Sequence, residues 1–231
     1  MKNYTIILSA LLTAMMWSCS TTRRIPNDEI LYTGLKGVKV NTPDPKETFP
    51  SGVHESLTEA VSVKPNNPLL GSASVRTPFP IGLWVYNNWP NPPKGFKHWI
   101  YNKLASEPVL VSDVRPEVRV HMLDRILDDN GYFSGSTSYE LVQKKNKKKA
   151  SILYTINSGE PYLIDSIRLL PDTTHLFHII DSVVDRSTYF KTGSRYSTDS
   201  LSVLRVQIAN AVRNRGYYYF RPEFIQYLAD S

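Results

Sequence analysis

The chain has 231 residues, a length that fits one large or two small domains with enough residues to form a buried core. Its formal net charge of +6 is moderate, and much of the excess comes from a lysine run at residues 144–149. That run fits a solvated turn as well as it fits an anionic membrane surface nearby. The single cysteine, Cys19, excludes an internal disulfide.

Residues 1–18 have the pattern of a secretory signal peptide. Their apolar segment at residues 6–16 is too short to span about 30 Å of hydrocarbon as a helix. Cys19 follows directly and resembles the acylated cysteine of bacterial lipoproteins, although Met16 and Trp17 depart from the usual residues before it. We therefore expect a lipid on Cys19, with ordinary signal cleavage and a free thiol as the alternative.

The next segments predict a tether, a strand and a helix. Residues 19–30 are polar and have no periodicity, which is typical of a tether between a membrane and a domain. Residues 31–40 alternate between apolar and polar types and predict a first strand. Residues 55–63 predict a short helix, which the prolines at positions 65 and 68 end.

A proline-rich and aromatic segment follows at about residues 66–112. Prolines at this density are excluded from the middle of a sheet, so we expect an insertion with a short helix around residues 96–104. Trp84, Trp89 and Trp99 are candidate docking residues, because tryptophan is enriched among interface anchors. The alternative is that these rings hold an irregular loop against its own domain.

The central part of the chain predicts a helix followed by strands. Apolar residues recur at helical spacing over residues 118–127, and Gly131 can take the left-handed conformation that ends a helix. Strands are predicted at residues 132–142 and 152–156, on either side of the lysine run, and a third strand should open at Gly159.

Part of this pattern occurs twice. Residues 123–133 are matched by residues 208–218, with the glycine and both following aromatic residues at an offset of 85. Helices are predicted at residues 176–184 and 198–212, and a strand at residues 217–227. Self-similarity at a fixed offset is the signature of tandem modules.

No catalytic or metal-binding pattern is present in the sequence. His175 and His178 are three residues apart, but no third ligand lies close in sequence, so no metal site is predicted. Asp128 and Asp129 face different directions on a helix and do not form a carboxylate pair. The lysine run contains no aromatic residues on which bases could stack, so nucleic-acid binding is not predicted. We expect a protein that is not an enzyme and that binds no cofactor.

The order of helix, Gly-Tyr-Phe, strand, turn and Ile-x-Tyr-x-Ile-x-x-Gly-x-Pro-Tyr resembles a POTRA (polypeptide-transport-associated) domain of the outer-membrane assembly family that includes BamA and TamA. The resemblance covers residues 113–170 and recurs over residues 198–227. It implies an α+β fold of tandem β-α-α-β-β modules, at residues 31–158 with the insertion and at residues 159–231 in incomplete form. Lipoprotein relatives of TamA also have an interrupted first module.

The resemblance also implies a function. The chain would be the periplasmic region of a lipid-anchored outer-membrane assembly or translocation factor, continued by a membrane β-barrel beyond Ser231. Its clients or assembly partners would add a strand to an exposed sheet edge. The candidate edge residues are Tyr132, Phe133, Tyr139, Tyr217 and Tyr218. The alternative is a membrane-anchored scaffold that docks a partner through the aromatic insertion.

Overall fold

The structure is a computed structural model that describes residues 21–44, 48–77, 80–89, 94–170 and 172–230. The expected signal peptide and Cys19 lie outside these residues. Within the described part of the chain, every helix falls short of the length and apolarity that crossing a membrane requires.

Strands and helices are mixed along the chain. The strands are β1 (Leu31–Asn41), β2 (Ser136–Gln143) and β3 (Lys149–Asn157). The helices are α1 (Ser51–Val61), α2 (Ile81–Asn88), α3 (Phe96–Leu104), α4 (Val111–Val114), α5 (Pro116–Asp129), α6 (His175–Arg186) and α7 (Thr198–Arg213). Short 3-10 helices occur at Leu69–Gly71 and Pro222–Phe224. The prediction of a mixed α+β fold is confirmed.

The three strands form one sheet in the order β1-β3-β2. β1 and β3 run parallel, because the Leu31 N–H donates to Lys148 O (2.9 Å) at one end and the Ser158 N–H donates to Asn41 O (3.0 Å) at the other. β2 and β3 form an antiparallel hairpin across the lysine-rich turn. β3 is therefore the central strand, and β1 and β2 are the two edges.

The sheet buries its apolar residues at the spacing that each element dictates. Every second side chain of β3 is buried, including those of Ile152 and Tyr154, because side chains alternate between the two faces of a strand. In α1, Leu57 and Val61 are four residues apart and buried, as helical periodicity requires. The Thr137 hydroxyl of β2 donates to a carbonyl of α5 (3.1 Å), which holds that helix against the sheet.

Contacts between residues divide the chain into two compact units. Unit 1 contains the described residues of Met1–Lys39, Leu57–His121 and Thr137–Thr155, and unit 2 those of Val40–Ser56, Met122–Ser136 and Ile156–Ser231. Within unit 2, α6 and α7 pack together around a core of Ile179, Leu204, Ile208 and Val212.

The third strand predicted to open at Gly159 is wrong. Gly159 has a φ of +65°, which turns the chain as β3 ends, and Pro161 lacks the N–H that a strand ladder needs. Leu163 forms only an isolated antiparallel bridge with Arg195. The segment therefore pairs briefly with the loop before α7 instead of extending a sheet.

The strand predicted at residues 217–227 is also wrong. This segment turns through the 3-10 helix at Pro222–Phe224, where proline again removes a main-chain donor. Phe220 and Ile225 pack against the α6–α7 core. The Tyr227 hydroxyl donates to a carbonyl of α7 (2.9 Å). The segment covers the helix pair because its aromatic side chains find burial there.

The two glycines of the sequence repeat end their helices in the same way. Gly131 and Gly216 have φ values of +82° and +100°. Each glycine N–H donates to the carbonyl three residues earlier (3.0 and 3.1 Å), and each following tyrosine N–H donates to the carbonyl five residues earlier (2.9 and 3.4 Å). The packing around the two glycines differs, since a Cβ on Gly131 would lie 2.9 Å from Tyr196 O and one on Gly216 would meet no atom within 4 Å.

Candidate functional site

β2 has one neighbouring strand and leaves its other edge open. The Lys144 N–H donates to Lys149 O (2.9 Å), so the main-chain groups of Lys144 face β3. In an antiparallel ladder, every second residue of a strand points its N–H and C=O toward the partner strand. The main-chain N–H and C=O groups of Tyr139 and Leu141 therefore point away from β3. No other main-chain segment pairs with this edge among the residues that the structure describes.

The residues of β2 do not protect its edge. The strand is eight residues long, contains no proline or lysine, and has Glu140 as its one charged residue. Side chains alternate between half-buried and exposed positions from Ser136 to Leu141. Natural edge strands are usually protected by proline, lysine, bulges or a covering segment, so β2 has the features of an edge that accepts another strand.

The first half of the edge formed by β1 is covered by the insertion. The Leu35 N–H donates to Ala73 O (2.9 Å), and the Tyr32 N–H donates to Val109 O (2.9 Å). Leu31 also forms an antiparallel bridge with the segment just before α4. The insertion thus satisfies main-chain groups at residues 31–35 of β1, whereas no described segment bonds to the outer edge of β2.

Tyr139 fixes the middle of β2 against α5. Its hydroxyl donates a hydrogen bond to the Glu117 carboxylate. This bond lowers the pKa of Glu117 below that of an ordinary glutamate and raises the pKa of Tyr139. The Tyr139 ring also lies 6.5 Å from the Tyr154 ring of β3. The side chain of Tyr139 therefore positions the strand, while its outward main-chain groups stay available.

Tyr132 and Phe133 precede the edge strand, which begins at Ser136. Tyr132 is 3% exposed, and its hydroxyl accepts a hydrogen bond from the Arg195 guanidinium (3.1 Å). Phe133 is half-exposed, with its ring 5.2 Å from that of Tyr162. The predicted strand starts late because the chain is held in turns after the helix end, so both aromatic residues pack outside the sheet edge.

Tyr217 and Tyr218 also lie outside any strand. Tyr217 is 39% exposed and Tyr218 is 79% exposed, in the segment that follows α7. Of the five candidate edge residues, Tyr139 alone lies in β2.

The three tryptophans of the predicted docking surface belong to two different aromatic pairs. Trp84 and Trp89 are half-buried and lie against each other, with ring centroids 6.1 Å apart. Trp99 is 58% exposed and stacks on Phe96, with ring centroids 5.9 Å apart and planes 14° from parallel. Trp99 and Phe96 form the exposed aromatic pair of the insertion.

Sequence reasoning missed two parts of this site. The first is the covering of β1 by the insertion, whose long-range main-chain bonds have no local pattern. The second is Leu141, because the direction of its N–H depends on the register between β2 and β3. In the described portion of the chain, no three histidine, cysteine, aspartate or glutamate side chains come together as metal ligands.

No protein-family model matches the chain, and no curated protein matches its sequence. Among solved structures, the chain is similar to a crystal structure of Haemophilus influenzae BamA POTRA3-5, with a TM-score of 0.34 and 11% sequence identity. The similarity covers 83% of this chain and 57% of that one, so the chain spans less than two thirds of its length. The function is therefore inferred from the sheet edge and the sequence of this chain.

Proposed function

We propose that the chain is a POTRA-like periplasmic region of an outer-membrane protein assembly or translocation factor. It binds extended client or partner segments by strand addition to β2. The observation that supports this most directly is the asymmetry of the sheet, in which the chain's own insertion covers residues 31–35 of β1 and no described segment covers β2.

Strand addition to β2 uses main-chain chemistry. By the two-residue alternation of the ladder, the outward N–H and C=O groups belong to Thr137, Tyr139, Leu141 and Gln143. An extended segment can pair with these groups whatever its side chains are. Strands of outer-membrane barrels alternate apolar and polar residues, so one face of a bound client strand would suit the half-buried side of β2.

The element order supports a β-α-α-β-β module at residues 31–158, with the insertion at about residues 66–112 between α1 and α5. We propose a second, incomplete module at residues 159–231, in which α6 and α7 form the helix pair. The repeated helix ends at Gly131 and Gly216 support this duplication.

We further propose that acylation of Cys19 holds the chain at the outer membrane, with its domains in the periplasm. The support is the apolar segment directly before the cysteine and the lack of any other cysteine for it to pair with. Mass spectrometry of the N-terminal peptide tests this. A diacylglycerol on Cys19 is expected, and an unmodified thiol would contradict the anchor while leaving the proposal for β2 intact.

A photocrosslinking experiment in the native host tests strand addition. A photoreactive amino acid replaces Glu140 on β2, and a matched variant carries it at Lys36, an exposed residue of β1 that directly follows the covered Leu35. The β2 probe should crosslink to unfolded outer-membrane proteins, and the β1 probe should not. Equal crosslinking at both positions would contradict binding at a specific edge.

A further inference from the structure

The chain just after Cys19 is held against the end of α2. Thr21 is 5% exposed, and its carbonyl accepts a hydrogen bond from the Asn87 side-chain amide (3.2 Å). The Arg24 N–H donates to the oxygen of the same amide (2.9 Å). This part of the predicted tether is therefore packed on unit 1. In the sequence, Cys19 precedes Thr21 by two residues, and two residues of chain span at most about 7 Å.

The exposed aromatic pair lies at this same end of the insertion. The Ser106 N–H donates to Gly82 O (3.1 Å), which places the end of α3 beside the start of α2. The two helices contact each other and are eight and nine residues long. The start of α3, with Phe96 and Trp99, therefore lies near the end of α2 that binds Thr21. α3 buries none of its own residues, and an isolated helix of this length is marginal in water.

The charged residues at positions 60–106 all have the same sign. Residues 60–106 contain no aspartate or glutamate, so all 21 acidic residues of the chain lie elsewhere. Lys94, Lys97 and Lys103 are exposed on α3 or directly before it. Tryptophan rings sit at the headgroup level of bilayers, and lysines extend from such a face toward anionic phosphates.

We propose that the membrane face of unit 1, formed by Phe96, Lys97, Trp99 and Lys103, lies on the headgroup region of an anionic lipid bilayer. The proposal rests on the lipid anchor at Cys19, which brings the bilayer to the end of α2. With the anchor and the helix both in contact, unit 1 has a preferred orientation at the membrane. A bilayer fits this face better than a protein does, because the anchored Cys19 is two residues from Thr21, which packs on the end of α2, and because residues 60–106 carry only basic charges.

The test uses the full chain, purified with its anchor and reconstituted in vesicles of phosphatidylethanolamine and phosphatidylglycerol with brominated acyl chains. Bromine should quench tryptophan emission in the wild type, and Trp99→Phe should lose that quenching. The double variant Lys94→Glu/Lys97→Glu should also lose it. Lys145→Glu/Lys147→Glu makes the same charge change on the exposed hairpin turn and should keep the quenching. Circular dichroism checks that every variant is folded.

Three results would overturn the proposal. The first is an acylated wild type whose emission brominated lipid leaves unchanged. The second is an equal effect of the two lysine pairs. The third is protection of Trp99 from acrylamide only after outer-membrane proteins are added, which would identify a protein as the occupant. If Cys19 is unmodified and Trp99 is still quenched, the proposal of a lipid anchor is contradicted and the proposal of the membrane face is supported. If Cys19 is unmodified and Trp99 is not quenched, the proposal of the membrane face is contradicted.

Discussion

Replacing Leu141 by proline should abolish strand addition and leave the sheet folded. The N–H of Leu141 points away from β3, so proline removes an outward donor without breaking the β2–β3 ladder. When a client binds the Leu141→Pro variant, the client carbonyl that would accept from this N–H is left unpaired, which weakens the binding free energy by about 1–3 kcal/mol. The dissociation constant should therefore rise by about 5- to 150-fold.

The assay is fluorescence anisotropy with a labelled peptide of about ten residues that has the alternating apolar and polar pattern of an outer-membrane strand. Leu141→Ala is the matched control, because it removes more of the side chain and keeps the N–H. It should bind the peptide with nearly the wild-type affinity. Thermal unfolding followed by circular dichroism reports whether each variant remains folded.

The adjacent position provides the opposite control. The N–H of Val142 faces β3, so Val142→Pro removes a ladder hydrogen bond and should lower the free energy of unfolding by about 1–3 kcal/mol. Wild-type peptide affinity in a folded Leu141→Pro protein would refute the reasoning, because strand addition along β2 cannot proceed unimpeded past a proline.

Two further pairs of substitutions test the fold. Burial raises the pKa of Tyr154 to about 12, and its buried hydroxyl has no hydrogen-bond partner among the described residues. Tyr154→Phe removes this unpaired group, so it should raise the free energy of unfolding, measured by urea denaturation, by up to about 1–3 kcal/mol. The Tyr32 hydroxyl donates to a carbonyl (3.1 Å), so Tyr32→Phe should lower the free energy of unfolding by about 1 kcal/mol. If Tyr154→Phe and Tyr32→Phe changed the free energy of unfolding in the same direction, the assigned hydrogen bonds would be contradicted. Gly131→Ala should destabilise more than Gly216→Ala in thermal unfolding, because both glycines have positive φ but only Gly131 is closely packed; equal losses would contradict the packing difference.

Local patterns in the sequence predicted the elements whose cause is local. α5 with its glycine end and the hairpin of β2 and β3 follow from apolar periodicity and a turn, and both are present. α3 was predicted at residues 96–104, where it occurs. α2 was not predicted, because the prolines around it favoured an irregular segment.

Features that depend on distant contacts could not be read from the sequence. A strand exists only with a partner, and the segments at residues 159–170 and 217–227 have the residue types of strands but find burial and hydrogen bonds elsewhere. The cover on β1 by Ala73 and Val109 joins residues that are far apart in sequence. For the same reason, the sequence indicated a sheet edge but did not indicate which main-chain groups remain open.

Amide hydrogen exchange with and without the strand peptide tests the central claim most directly. Binding at the β2 edge should protect the outward amides of Tyr139 and Leu141, and leave the exchange of the inward amides of Glu140 and Val142, already bonded to β3, almost unchanged. Peptide binding without added protection at Tyr139 and Leu141 would contradict strand addition at this edge.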